Sequence, residues 1–157
     1  MNRVNKILHD EEYKIYLNRI EIYEKNRAFC RHNMEHFLDV ARICYIKCLE
    51  ENLNYSKDLV YATALLHDIG RWIEYEDGVC HEKASVVLSE KILKRAGFNK
   101  EEQKIILNAI ASHRGEFKTK FEELFYNSDK LSRGCFLCKV EEECNWDKKK
   151  KNLDILY

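Results

Sequence analysis

No proline interrupts the 157 residues of this chain, and its five glycines, Gly70, Gly78, Gly97, Gly115 and Gly134, fall between stretches whose apolar residues recur with helical spacing. A chain without proline and without alternating apolar periodicity is read as an all-α domain of about six or more helices. Asp10 is placed to cap a first helix with Tyr13, Tyr16, Leu17 and Ile20 on one face. Phe37, Ala41, Cys44, Tyr45 and Cys48 mark a second helix, which ends in the polar stretch from Glu50 to Tyr55. Ser56 caps a third, carrying Tyr61 through Ile69. Ala84, Val87, Leu88 and Ile92 mark a fourth, which Gly97 closes in a left-handed conformation. Asn99 and Glu102 form a capping box for a fifth, with Ile106, Ala109, Ile110 and His113 on one face. Thr119 and Glu122 repeat that signal for a sixth, with Phe121, Leu124, Phe125 and Ser128 in register and Asp129 just after. The acidic interval from Ile73 to Val79 reads as a lid or substrate loop.

The length allows one domain, placed at residues 1–134, with a cysteine-containing extension over 135–157. With 45% hydrophobic and 34% charged residues the chain can bury a core beneath a wetted surface. Lysine plus arginine is 27 and aspartate plus glutamate is 27. That balance supplies no global field for a nucleic acid polymer or an anionic membrane, so any anion specificity must be local. The short basic run from Lys148 to Lys151 reads as a solvated helix end. The N-terminal residues reach charge before an apolar signal core develops, and no apolar run approaches the ~20 residues of a membrane span, so a cytoplasmic location is expected. In that setting seven cysteines read as reduced thiols or metal ligands rather than a disulfide framework.

The chemistry-bearing residues are His36, the adjacent pair His67 and Asp68, His81, His113 and Asp129. A single inward histidine is usually a hydrogen-bonded core residue. The adjacency of His67 and Asp68 near a helix end argues otherwise, because consecutive helical residues point about 100° apart and both can reach one point in a groove. Burying imidazoles and carboxylates separately is costly, whereas a shared divalent cation offsets the desolvation of several at once.

The order H…HD…H…H…D, with the flanking text His36-Phe37-Leu38-Asp39-Val40-Ala41 and Leu65-Leu66-His67-Asp68-Ile69-Gly70-Arg71, resembles the HD-domain superfamily of metal-dependent phosphohydrolases over about residues 30–133. The resemblance implies that His36, His67, Asp68 and Asp129 hold a first metal, that His81 and His113 match the extra histidines of a two-metal branch, and that Asp68 bridges. That branch includes hydrolases of dinucleoside polyphosphates, cyclic dinucleotide phosphodiesterases and some di-iron oxygenases. Imidazole with carboxylate suits divalent transition metals such as iron, manganese, zinc, nickel or cobalt, and two such ions can activate water without a side-chain nucleophile. The implied activity is hydrolysis of a phosphoester or phosphoanhydride in a small, nucleotide-like molecule. Arg71 and Lys130 are placed to join Asp68 in catalysis by meeting phosphate oxygens, and Arg114 and Arg133 are similarly located. A di-iron oxygenase and a non-catalytic metal or redox sensor remain alternatives. His9-Asp10 carries none of the flanking text; Asp10 reads as a cap and His9 as exposed. His32, one turn before His36, is an outer-shell or ligand-orienting candidate.

Cys135, Cys138 and Cys144 make a second pattern, CxxC-x5-C. Thiolates so spaced can share zinc or an iron–sulfur cluster if a fourth ligand such as Cys30 or Cys80 joins them; otherwise they are small thiols packing with Phe136 and Trp146.

Overall fold

Side-chain caps set most helix starts in the computed structural model, which describes residues 1–112 and 115–157. The Asp10 carboxylate accepts from the backbone N–H groups of Glu12 and Tyr13, Asn33 from His36, Ser56 from Leu59, and Thr119 from Glu122. Asn99 and Glu102 cap reciprocally: each side chain accepts from the other's backbone N–H, at 2.9 and 3.0 Å. The resulting elements are α1 (Asn2–Leu8), α2 (Glu11–Tyr23), α3 (Met34–Glu50), α4 (Lys57–Leu66), α5 (Arg71–Asp77), α6 (His81–Ala96), α7 (Lys100–Ser112) and α8 (Lys120–Leu131), followed by a 3-10 turn at Cys135–Leu137. Among the described residues there is no strand, and the chain is all-α as its periodicity predicts.

The helix α3 packs against α4 and α8, α4 also meets α1 and α7, and α6 lies against α5 and α7. Phe37, Val40, Ala41 and Cys44 of α3 bury completely with Leu66 of α4, Ile106 and Ile110 of α7, and Phe121 and Phe125 of α8. No helix is long and apolar enough to cross a membrane among the described residues.

Several local expectations change. A further helix, α1, precedes Asp10 and buries Val4 and Ile7; three apolar residues in seven carry too weak a period to read alone. The third helix ends at Leu66, and residues 67–70 form a turn before α5. The interval expected as a lid loop is therefore mostly helical. Val87 is 67% exposed, and the buried stripe of α6 runs instead through Ala84, Ser85, Ser89, Ile92 and Leu93. Asp129 lies inside α8 rather than after it, and Lys148–Lys151 lie in a turn and bend, not a helix. His9 is exposed and Asp10 caps, as expected.

Gly70 joins the two halves of the site. A Cβ there would stand 2.5 Å from the Ser85 backbone nitrogen and 2.7 Å from the His81 carbonyl, so only glycine lets the turn after α4 touch the start of α6. Its N–H donates to Ser85 Oγ at 2.9 Å. That contact brings His81 beside Asp68.

Candidate metal centre

Four ligand atoms, one each from His36, His67, Asp68 and Asp129, lie within 4.8 Å of one another, and all four residues are buried. They come from the first turn of α3, the end of α4 and the last turn of α8. His67 is seated by the rings of Phe37 and Phe125, with centroids 5.4 and 5.5 Å away.

Each described histidine at the centre is held from behind. His67 Nδ1 donates to the Ala64 carbonyl at 2.7 Å. His36 Nδ1 meets Ser132 Oγ at 3.0 Å, and that hydroxyl spends its own proton on the Asp129 carbonyl at 2.8 Å, so the imidazole is the donor. His81 Nδ1 is 2.8 Å from Glu74 Oε2, and His32 Nδ1 bonds Glu24 Oε1. With Nδ1 committed outward, the four Nε2 atoms turn inward to Asp68. Its Oδ2 lies 3.0 Å from His67, 3.6 Å from His32 and 3.9 Å from His36, while its Oδ1 lies 3.3 Å from His81. Outer partners that fix the tautomer and aim of each imidazole are the usual support of metal ligands.

The protonation pattern matches that donor set. Burial alone would push both carboxyls up, but the charges of His67 and Arg71 hold Asp68, and that of Lys130 with the hydrogen bond from His67 holds Asp129, well below the ordinary carboxylate range. Burial and the Arg133 charge push His36 down to about 3, and burial pushes His32 down to about 4, leaving neutral imidazoles ready to ligate. His67 goes the other way. Although buried, it is raised to about 9 by the charge of Asp68 and its bonds to both carboxylates. Its Nε2 proton sits where a cation would satisfy the same two acids, so these residues fit a divalent ion.

The sequence-derived candidates sort as follows. His36, His67, Asp68 and Asp129 converge, and His81 adjoins them at the other oxygen of Asp68. His113, expected as a further ligand, and Arg114 lie outside the described residues. Arg71 Nε is 3.4 Å from Asp68 Oδ1 and its Nη1 donates to Glu74 at 2.8 Å, although Arg71 opens a new helix instead of continuing α4. Lys130 pairs with Asp129. His32 lies in the non-helical stretch before α3, not one turn back along it. Sequence reasoning missed Glu24 entirely and took Glu74 for a lid residue; neither belongs to the motif text, and only the fold brings them behind His32 and His81. Cys135, Cys138, Cys144 and Cys30 line a neighbouring cavity.

Over the centre opens a cleft of about 330 Å³ lined by Arg71, Lys130, Arg133 and Lys150 together with Tyr126 and Trp146. Lys130 Nζ stands 4.9 Å from the centroids of both rings.

Fold and site thus define a helical domain with a buried His–Asp centre suited to a divalent cation. The chain belongs to the HD domain family, whose model matches residues 33–150. A protein of Clostridium beijerinckii, described as uncharacterized, is 48% identical over 157 residues, the full length of both chains. The backbone also resembles the crystal structure of what is described as a predicted HD superfamily hydrolase from an uncultured Thermotogales bacterium, with a TM-score of 0.63 and 21% identity over 89% of this chain and 81% of that one. At that identity the likeness concerns the fold.

Proposed function

We propose that this protein is a metal-dependent phosphohydrolase that cleaves a phosphoester or phosphoanhydride of a small, nucleotide-like molecule in the cytoplasm. The observation that carries the reading is the floor of the cleft. Asp68 turns one oxygen to His36 and His67 and the other to His81, beneath a rim of cationic side chains. A carboxylate engaged on both oxygens by separate histidines supports two ions, and the mixed imidazole and carboxylate donors favour iron, manganese, zinc, nickel or cobalt. When bound, such ions polarise a phosphoryl oxygen and lower the pKa of water toward about 7.

The chain's own residues supply the rest. Arg71 and Lys130 border the ligands Asp68 and Asp129 and present donors to phosphate oxygens, where added negative charge in the transition state strengthens the bond. Tyr126 and Trp146 give the cleft two aromatic rings beside that cationic rim, a combination that suits a nucleobase attached to phosphate. The small cleft and the balanced charge of the chain favour a small phosphorylated substrate over a nucleic acid polymer.

The test is phosphate release from mononucleotides, cyclic dinucleotides and dinucleoside polyphosphates by anaerobically purified, metal-loaded protein. Release should fall at least about 10³-fold in Asp68→Ala, roughly 4 kcal/mol of barrier. Equal release by both proteins overturns the assignment. Oxygen consumption without phosphate release would instead identify an oxygenase, and bound metal without turnover a sensor.

A further inference from the structure

Four cysteines meet at a second place in the molecule. Cys30 lies on the connection between α2 and α3, while Cys135, Cys138 and Cys144 follow α8, yet all four line one cavity of about 260 Å³. All are free thiols. The chain is shaped around that space. The 3-10 turn brings the Cys138 N–H onto the Cys135 carbonyl at 3.1 Å, and Cys144 N donates to Glu141 at the same distance. Arg27 Nε donates to the Cys30 carbonyl at 2.9 Å, and Arg133 Nη1 to the neighbouring Arg31 carbonyl at 2.7 Å, which ties the upstream segment to the residues after α8. Burial pushes the Cys135 thiol up, and nearness to Cys30, Cys144 and Cys138 adds to the effect.

The room between the four cysteines decides what the cavity can hold. One zinc ion with four thiolates at about 2.3 Å draws the sulfurs to roughly 3.8 Å of one another. Among the described residues, the donor atoms that gather in threes or more within 4.8 Å are those of the His–Asp centre, and the cysteine sulfurs are not among them. The four cysteines instead surround the open space of the cavity. A cube of four irons and four sulfides takes one thiolate at each iron corner and needs both the wider spread and the volume.

We propose that Cys30, Cys135, Cys138 and Cys144 ligate a four-iron, four-sulfide cluster. The cluster with its four thiolates is net negative; Arg27, Arg71, Arg133 and Lys151 line the same cavity as counter-charges, and Glu141, which also lines it, pairs with Lys151. Phe29 and Trp146 add two aromatic rings to the wall. Assembly from two ferrous ions, two ferric ions and four sulfides transfers no net electrons, and each thiol passes its proton to solvent as its sulfur bonds iron. Cys80, the other fourth ligand considered from sequence, caps α6 and does not line the cavity.

The site is separate from the His–Asp centre but shares a wall with it. His32, Arg71 and Arg133 line the cysteine cavity and also touch Asp68 or His36, at 3.6, 3.4 and 2.8 Å respectively. The two sites are therefore joined through these shared side chains.

The decisive measurement is acid-labile sulfide, because iron in the His–Asp centre contributes none. Full-length protein is purified anaerobically, reconstituted with ferrous and ferric iron and sulfide, and desalted. About four sulfides per chain are expected, with a broad sulfur-to-iron absorption that dithionite bleaches. Asp68→Ala should keep the sulfide even if it loses phosphate release, so the two assignments fail independently. Cys30→Ser and Cys138→Ser should lose sulfide at least tenfold with helical circular dichroism retained, and Cys80→Ser should keep it. Wild-type protein that holds zinc without sulfide, or no sulfide after reconstitution, overturns the proposal. So does a Cys30→Ser variant with wild-type sulfide.

Discussion

Glu24 aims His32 at the metal centre. Its Oε2 accepts from the His32 backbone N–H at 2.7 Å and its Oε1 binds the ring Nδ1, which leaves Nε2 3.6 Å from Asp68 Oδ2. Tyr75 Oη donates to the same Glu24 oxygen at 2.6 Å. Removing an outer partner of this kind typically weakens metal binding about 10–100-fold. Glu24→Ala should show that loss when apo-protein is titrated with manganese or cobalt, and Tyr75→Phe a smaller one. Unchanged affinity in Glu24→Ala would remove His32 from the centre.

Arg133 occupies the lone pair that a metal would take on His36. Its Nη2 donates to His36 Nε2 at 2.8 Å, with Asp129 Oδ1 at 3.9 Å. A cation bound at His36 must displace that contact. Arg133→Gln should therefore raise metal affinity by up to about tenfold, or ~1.4 kcal/mol, while lowering the stability of the metal-free protein, whose buried carboxylates lose a counter-charge. Metal titration and urea unfolding of the apo form check the two halves.

At Gly70, the contact with the Ser85 backbone leaves no room for a methyl group. Gly70→Ala should cost about 1–3 kcal/mol through forced backbone shifts and should reduce metal stoichiometry, because α6 carries His81 away from Asp68. Ser85→Ala removes the acceptor of the Gly70 N–H; leaving that buried donor without its partner should cost a similar ~1–3 kcal/mol. Thermal unfolding with metal analysis separates the effects.

Asp10 links helix capping to pH. It caps α2 and accepts from Arg95 of α6 at 2.7 and 2.9 Å. Burial tends to raise its carboxyl, but the Arg95 bonds and the backbone N–H groups of Tyr13 and Glu12 hold it below the ordinary 3.8. A depressed folded value means that the charge stabilises the fold above about pH 4 and that this contribution disappears as pH falls through the lower folded value. Asp10→Ala should thus be about 1 kcal/mol less stable at neutral pH, and the gap from wild type should narrow under strong acid. Urea midpoints across pH measure it.

Much of this protein was legible as text. Capping signals at Asp10, Ser56, Asn99 and Thr119 act within a turn of their own position, so local sequence was enough to place those helix starts. The His–Asp motif could be read because its flanking residues are local as well. The short helices α1 and α5 could not, since seven residues carry less than two turns of periodicity and such helices owe their stability to tertiary contact. Glu74 illustrates the difference: an acidic residue in an apparent loop becomes, once α5 lies on α6, the partner that turns His81 inward.

By itself, then, the sequence determined an all-α chain and several helix starts, because periodicity and caps are short-range properties of a polymer, and its family resemblance pointed to His36, His67, Asp68 and Asp129, whose side chains the fold brings together. Tertiary structure alone decided that Glu24 stands behind His32, that Gly70 seats His81 against Asp68, and that Cys30 joins three cysteines from the far end of the chain. Those relations depend on where packed helices bring distant segments together, which is set by burial of the whole apolar surface and not by any local run of residues.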